Sequence, residues 1–296
     1  MENNNYITEK KPGPIKKFLG GIVLSFVILG LFILLQMIVG GVMMAAAAFM
    51  AAGEMQGDTA YLMQYLYDLQ TDSGFLTWLT VVATVISAVF SVFFYWLIWG
   101  RKKTQEDKQY LKEKVLKAKP VIMISVSAFG LYFVALLIAI IISVISPETM
   151  ESYNQLMESA LGGSQALAML AAVILAPINE ECIMRGLILK NLQKYFSVPA
   201  VIIIQAVMFG IFHMNWVQGI YVLPIGAALG YVAVKSRSVL PSIYMHLFYN
   251  LISFVLGVLP EFCQSAVFCV AAIAVSAAAM WFLSADYRAA RQKDAR

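Results

Sequence analysis

Charge is what this chain has least of. Only 13% of its 296 residues are Asp, Glu, Lys or Arg, against about 25% in an ordinary soluble domain. Residues 18–52, 75–100 and 120–147 carry no charged side chain at all. Histidine occurs twice, as His213 and His246, and cysteine three times, as Cys182, Cys263 and Cys269. An odd cysteine count without a CxxC pair excludes a disulfide framework and a cysteine-built zinc site. There is no HExxH, so a zincin helix is absent too. The scarcity of charge, with 61% hydrophobic residues, excludes a disordered chain, a collagen-like chain and an ordinary water-soluble enzyme.

What is present instead is a series of apolar runs. Roughly 18 apolar residues suffice to cross the hydrocarbon of a bilayer. Eight such segments can be drawn, at about 18–50, 75–100, 120–146, 164–188, 198–216, 217–234, 239–259 and 264–284. The expected fold is therefore all-α, a polytopic membrane protein of about eight transmembrane helices. The first segment reads as a span rather than a cleaved signal, since its Ala45–Ala48 tail runs on without a clear end.

The basic residues test this drawing. Of 21 Lys and Arg, 20 fall before segment one, in 101–119, in 190–194, in 235–237 or after segment eight. All of these lie on one side if both termini are cytoplasmic. The intervening loops, 53–74 and 147–163, hold Glu54, Asp58, Asp68, Asp72, Glu148, Glu151 and Glu158 and no basic residue. That is the positive-inside pattern. The organisation expected is a cytoplasmic tail over 1–17, generic spans over 18–163, a chemically active core over 164–260, and a last span with a basic cytoplasmic tail over 261–296. The 101–119 loop, mixed in sign, reads as a solvated or interfacial helix. Nothing suggests a nucleic-acid partner, and no internal repeat supports an inverted-repeat transporter.

Polar groups inside such spans cost about 2.5–3.5 kcal/mol each on insertion scales and usually mark function. They are few here: Asn179, Glu180, Glu181 and Arg185 in segment four, His213 in segment five, His246 and Asn250 in segment seven. Positions four apart share a helical face, so Glu181 pairs with Arg185. Glu180 points about 100° away and lacks that cation; a desolvated carboxylate of this kind suits a general base. His246 and Asn250 can present an imidazole and an amide to one point, and Phe209 can pack beside His213. Pro177 should kink segment four close to the carboxylates. With the hairpin between segments four and five turning near Phe196 and Ser197, Glu180 and His213 each lie 16 residues away, roughly 24 Å, and can face one another. His246, nine residues past Arg237, sits roughly 14 Å from its own turn. These heights agree where the last turns of segment four, about 187–195 with their lysines and Gln193, stand out of the hydrocarbon, and one intramembrane polar cluster nearer the basic face then follows. A proton-coupled transporter would also use buried Glu and His. Packing accounts for Met184, Met208 and Met214, a close helix contact for Gly226 and Gly230, and a nucleophilic role for Cys182 is the weaker reading because it faces a further 100° round the helix.

Glu180-Glu181-x-x-x-Arg185, Phe209-x-x-x-His213 and His246-x-x-x-Asn250, in this order and all on membrane helices, resemble the CPBP family. These are the CAAX proteases and bacteriocin-processing enzymes, also called Abi proteins, with the type II CAAX prenyl endopeptidases among them. The resemblance implies an eight-helix fold with an intramembrane cavity open to the cytoplasm and peptide-bond hydrolysis inside it. It implies that Glu180, helped by His213, activates water, that His246 and Asn250 stabilise the oxyanion, and that Glu181, Arg185 and Phe209 support them. The family is commonly labelled metallopeptidase, so Zn held by Glu180, His213 and His246 is one implied arrangement. A metal-free glutamate–histidine mechanism is the other, and the missing HExxH tilts the reading towards it. The implied partners are the bilayer and a hydrophobic or lipidated peptide. The setting that fits is a bacterial plasma membrane. Non-enzymatic scaffolding or bacteriocin immunity is the alternative that the same resemblance raises.

Overall fold

The computed structural model describes residues 12–52, 59–256 and 265–294. Lys10, Lys11, Glu54, Asp58, the 257–259 end of segment seven, Cys263 and Arg296 lie outside the described residues. All regular structure among the described residues is helical. Among the described residues, six helices are long and apolar enough to cross a bilayer: α1 (Pro14–Ala52), α3 (Ser73–Lys102), α4 (Ala118–Ile145), α6 (Gln165–Leu192), α8 (Trp216–Ser236) and α10 (Ala266–Arg288). Two apolar helices are shorter, α7 (Val198–Phe212) and α9 (Leu240–Leu256). Two more join spans: α2 (Thr59–Thr71) and α5 (Pro147–Leu161).

All eight apolar segments thus become helices, but not all at spanning length. At 15 residues, α7 is about 22 Å long, short of a hydrocarbon core of about 30 Å. It also ends earlier than the sequence drawing, at Phe212 rather than at 216. The reason is local. Asn215 caps the next helix by accepting from the Gln218 backbone N–H at 3.1 Å, and an N-cap residue cannot be helix interior. Met214 takes a left-handed φ of 49° between the two. The hydrophobic sum across 198–216 hides this break, because Ile211, Phe212, Met214 and Trp216 flank it.

The mixed-sign loop after α3 does carry a short helix, Gln105–Tyr110. Thr104 and Asp107 form a reciprocal capping box there, and Arg237 reaches Glu106 at 3.4 Å across from the end of α8.

Burial ranks the spans. Half of the most apolar window is buried in α6 and α8, against 17–28% in α1, α3, α4 and α10. The two central helices hold Glu181, Arg185 and the Gly226 carbonyl that Arg185 reaches, while the outer ones turn Leu, Ile, Val and Phe outward as lipid-facing surfaces require. Small residues let the centre close. A Cβ on Gly226 would come within 3.1 Å of Phe209 and 3.2 Å of Ala206, and one on Gly230 would overlap Gln205. The GxxxG of α8 is therefore the seat of α7. At the periphery, Gly130 of α4 seats Ser276 of α10, whose hydroxyl donates to the Val126 carbonyl at 2.6 Å.

Helix α6 is not uniform. It has π turns at Leu170–Leu175 and Cys182–Ile188, with an α-helical stretch, Ala176–Glu181, between them. Pro177 opens that stretch. The irregularity of segment four expected from proline takes this form, and π turns of this kind concentrate at functional sites.

Replacing Gly130 by Ala should put a methyl into Ser276 and within 2.8 Å of the Ala272 carbonyl. Overpacking of this kind costs about 1–3 kcal/mol. Thermal melting of purified Gly130→Ala protein in detergent should show a lower midpoint; an unchanged midpoint would contradict the close α4–α10 contact.

Candidate active site

The α-helical stretch of α6 presents its last two residues, Glu180 and Glu181, in different directions. Glu181 points into the protein and is fully buried. Its Oε1 accepts from Arg185 NH1 at 2.8 Å and from His246 Nδ1 at 2.9 Å. Arg185 is also fully buried. Its NH2 donates to the Gly226 carbonyl at 2.9 Å, an oxygen that also accepts from Gln205 Nε2 at 2.7 Å. The guanidinium carbon lies 4.7 Å from the centre of the Phe209 ring. Both terminal nitrogens of the cation thus meet an oxygen, one of a carboxylate and one of a carbonyl, and its plane lies by a π face, while Nε is buried without a hydrogen-bond partner; paired contacts of this kind are how a buried arginine is tolerated.

The i, i+4 pair expected between Glu181 and Arg185 is present. The bond from Glu181 to His246 is an addition. No sequence spacing announces it, since the two residues are 65 apart on separate helices. It matters for the imidazole. A carboxylate oxygen only accepts, so Nδ1 of His246 carries a proton and Nε2 is the nitrogen turned to the site. Nε2 lies 3.8 Å from Glu180 Oε2, too far for a direct hydrogen bond. Among the described residues, no protein donor reaches that Glu180 oxygen, although it is buried.

His213 closes the C-terminal end of α7. Its own backbone N–H turns to the Gly210 carbonyl, and its ring Nδ1 donates to the Phe209 carbonyl at 2.8 Å. The side chain thus caps a carbonyl left over at the helix end. Nδ1 is used as a donor, which leaves Nε2 as the free acceptor of the neutral ring. His213 is within electrostatic reach of Glu180, His246 and Arg185. The Phe209 ring stands edge-on to both imidazoles, with centroids 4.7 Å from His213 and 5.8 Å from His246. Phe209 is therefore a wall common to the two histidines, not the neighbour of one.

Asn250 shares its face of α9 with His246, but its amide Nδ2 donates to the Ala172 carbonyl of α6 at 2.7 Å. Asn179 is buried beside the pair and accepts from Ser87 at 3.0 Å, tying α3 to α6. Cys182 is buried, 3% exposed. On the far side of the cluster, Tyr221 of α8 shares a hydrogen bond of 2.8 Å with Tyr153 of α5 and lies within electrostatic reach of Glu180. The sequence offered no signal for this tyrosine pair.

Among the described residues, no group of three or more His, Cys, Asp and Glu side chains is placed to hold a metal ion.

Residues 162–252 match the protein-family model described as type II CAAX prenyl endopeptidase Rce1-like. The matched stretch contains all three polar motifs. No curated protein and no solved structure matches the chain.

Arg185→Met should leave the Glu181 charge buried without its cation. Removing one partner of a buried pair costs about 3–5 kcal/mol, and melting in detergent should register it. Adding Glu181→Gln removes the orphaned charge, so the double variant should regain part of the loss; a double variant melting below the single one would overturn the pairing as the source of the effect.

Proposed function

By residues 162–252 the chain falls in the CPBP/CAAX protease family, a peptidase family, and on that premise we propose that it is an intramembrane endopeptidase. Its substrate is a hydrophobic or lipidated peptide that reaches the site from the bilayer. Glu180 is the general base, His213 its helper, and His246 the donor to the oxyanion. Glu181, Arg185 and Phe209 hold these three in place. The basic loops face the cytoplasm, and the site opens to that side.

The observation that carries the reading is the pair formed by Glu180 Oε2 and His246 Nε2. One is a buried acceptor without a protein donor, and the other faces it at 3.8 Å. A water touching both is a water between a base and a cation. Glu180 takes one proton from it as the oxygen attacks the peptide carbonyl carbon. His213 Nε2 accepts the water's second hydrogen as a bond and orients it. The carbonyl oxygen becomes an alkoxide, against which the Nε2–H of protonated His246 can donate. Glu180 then passes its proton to the leaving amine as the C–N bond breaks, which restores the carboxylate.

The charges support this assignment. Glu180 and Glu181 are two negative groups, and Arg185 and protonated His246 are two positive ones. Placed between the two carboxylates, with Nδ1 on Glu181 and Nε2 towards Glu180, His246 has a partner on each side for the form that donates to the oxyanion.

Purified Glu180→Gln should fold and melt as the parent does, and should lose cleavage of a quenched prenylated or hydrophobic peptide by about 10²–10⁴-fold. Cleavage within threefold of the parent would refute Glu180 as the base. Stoichiometric zinc by mass spectrometry, with turnover abolished by a chelator, would refute the metal-free version of the reaction while leaving the peptidase reading intact.

A further inference from the structure

The most unusual bond near the site joins Asn250 to the backbone of α6. In the π turn Leu170–Leu175, each N–H reaches back five residues, and the Ala176 N–H accordingly bonds the Ala171 carbonyl. The next bond in that register would run from residue 177 to the Ala172 carbonyl. Residue 177 is proline and has no N–H. The Ala172 carbonyl is thus left without a backbone donor in the middle of a membrane helix, where lipid supplies none. Asn250 Nδ2 fills it, at 2.7 Å.

One turn before Asn250 on α9, His246 bonds Glu181 at 2.9 Å. Helix α9 therefore grips α6 at two points, Ala172 and Glu181, on either side of Pro177. Glu180 lies between the grips, next to the second. We infer that Asn250 is a positioning residue: its amide replaces the N–H that Pro177 lacks, fixes the proline break of α6, and thereby holds the Glu180 carboxylate opposite His246. This is distinct from the oxyanion role that the family resemblance implies for Asn250, which falls to the second N–H of the same amide. The catalytic part of the inference rests on the proposed peptidase reading; the backbone part does not.

The test is a double-mutant cycle of Pro177→Ala and Asn250→Ala in the full-length protein, purified in detergent. Three quantities are read: the melting midpoint, hydrogen–deuterium exchange over 170–185, and kcat and KM on a quenched hydrophobic peptide. In the parent background, Asn250→Ala should lower the midpoint, speed exchange across 172–181, and cut kcat by about 10-fold or more with KM little changed, the pattern of a misaimed base. In Pro177→Ala the restored N–H takes the Ala172 carbonyl, so adding Asn250→Ala should cost much less in all three.

A midpoint loss and an exchange increase of the same size in both backgrounds would overturn the inference. So would a kcat loss that is equal in both, which is what an oxyanion donor predicts. Should Asn250→Ala fail to fold, the double variant decides: a folded double supports the inference and an unfolded one overturns it. If the parent cleaves none of a panel of hydrophobic and prenylated peptides, the peptidase reading fails, while the exchange cycle still decides whether Asn250 sets the backbone around Glu180.

Discussion

Glu181 is the fixed point of this molecule. Its carboxylate oxygen accepts from Arg185 on its own helix and from His246 on another, with no exposure to solvent. A carboxylate in such a place survives only if its partners are also in place. That condition reaches outward. Arg185 needs the Gly226 carbonyl as well as Glu181, so α8 must come close enough for its backbone to be touched. Gly226 and Gly230 make that approach possible, and they seat Phe209 and Gln205 of α7 against the same strip. Four helices, α6, α7, α8 and α9, are keyed to one buried charge. The outer spans are held without a buried ion pair, by close packing and single hydrogen bonds such as Ser276 to Val126 and Ser87 to Asn179.

A second constraint runs through the same residues. Inside a bilayer every carbonyl must find a donor within the protein. The short α7 ends with its carbonyls inside the bundle, and His213 caps the one at Phe209. The proline of α6 frees the one at Ala172, and Asn250 caps it. Near the end of α6, Asn191 does the same for the π turn at the start of α1, donating to Gly20 at 2.8 Å and to Gly21 at 3.3 Å. Polar side chains in this bundle thus repair backbone, His213 of the proposed site among them. The repair has a functional consequence: a ring or amide bonded to main chain cannot rotate freely, so the site is oriented before any substrate arrives.

These facts set what the sequence could disclose. The apolar runs, the spacing of Glu181 to Arg185, that of Phe209 to His213 and the role of proline are all intrahelical, and an intrahelical relation is legible as a count of residues. The membrane class and the bundle of apolar helices followed from such counts. The bond from His246 to Glu181, the Ala172 carbonyl that engages Asn250, and the tyrosine pair of α5 and α8 are interhelical. They depend on which helices adjoin and in what rotation, and π turns alter that rotation without a mark in the composition. The early end of α7 was hidden for a different reason. A capping asparagine between apolar residues is a local backbone event, whereas hydropathy is a sum over a window.

The adjacency of the two glutamates now has a physical reading. One carboxylate alone could not both anchor an arginine and act as a base, since the cation that makes burial affordable also keeps the carboxylate from taking a proton. Dividing the tasks between neighbours solves this. Glu181 accepts the arginine and, through its second bond, fixes which nitrogen of His246 faces the site. Glu180, turned about 100° away on the same helix, is close to that nitrogen yet outside the reach of the guanidinium's hydrogen bonds. The helix rotation between consecutive residues keeps the paired charge of Glu181 distinct from the carboxylate of Glu180, for which the base role is proposed, while leaving them only one residue apart.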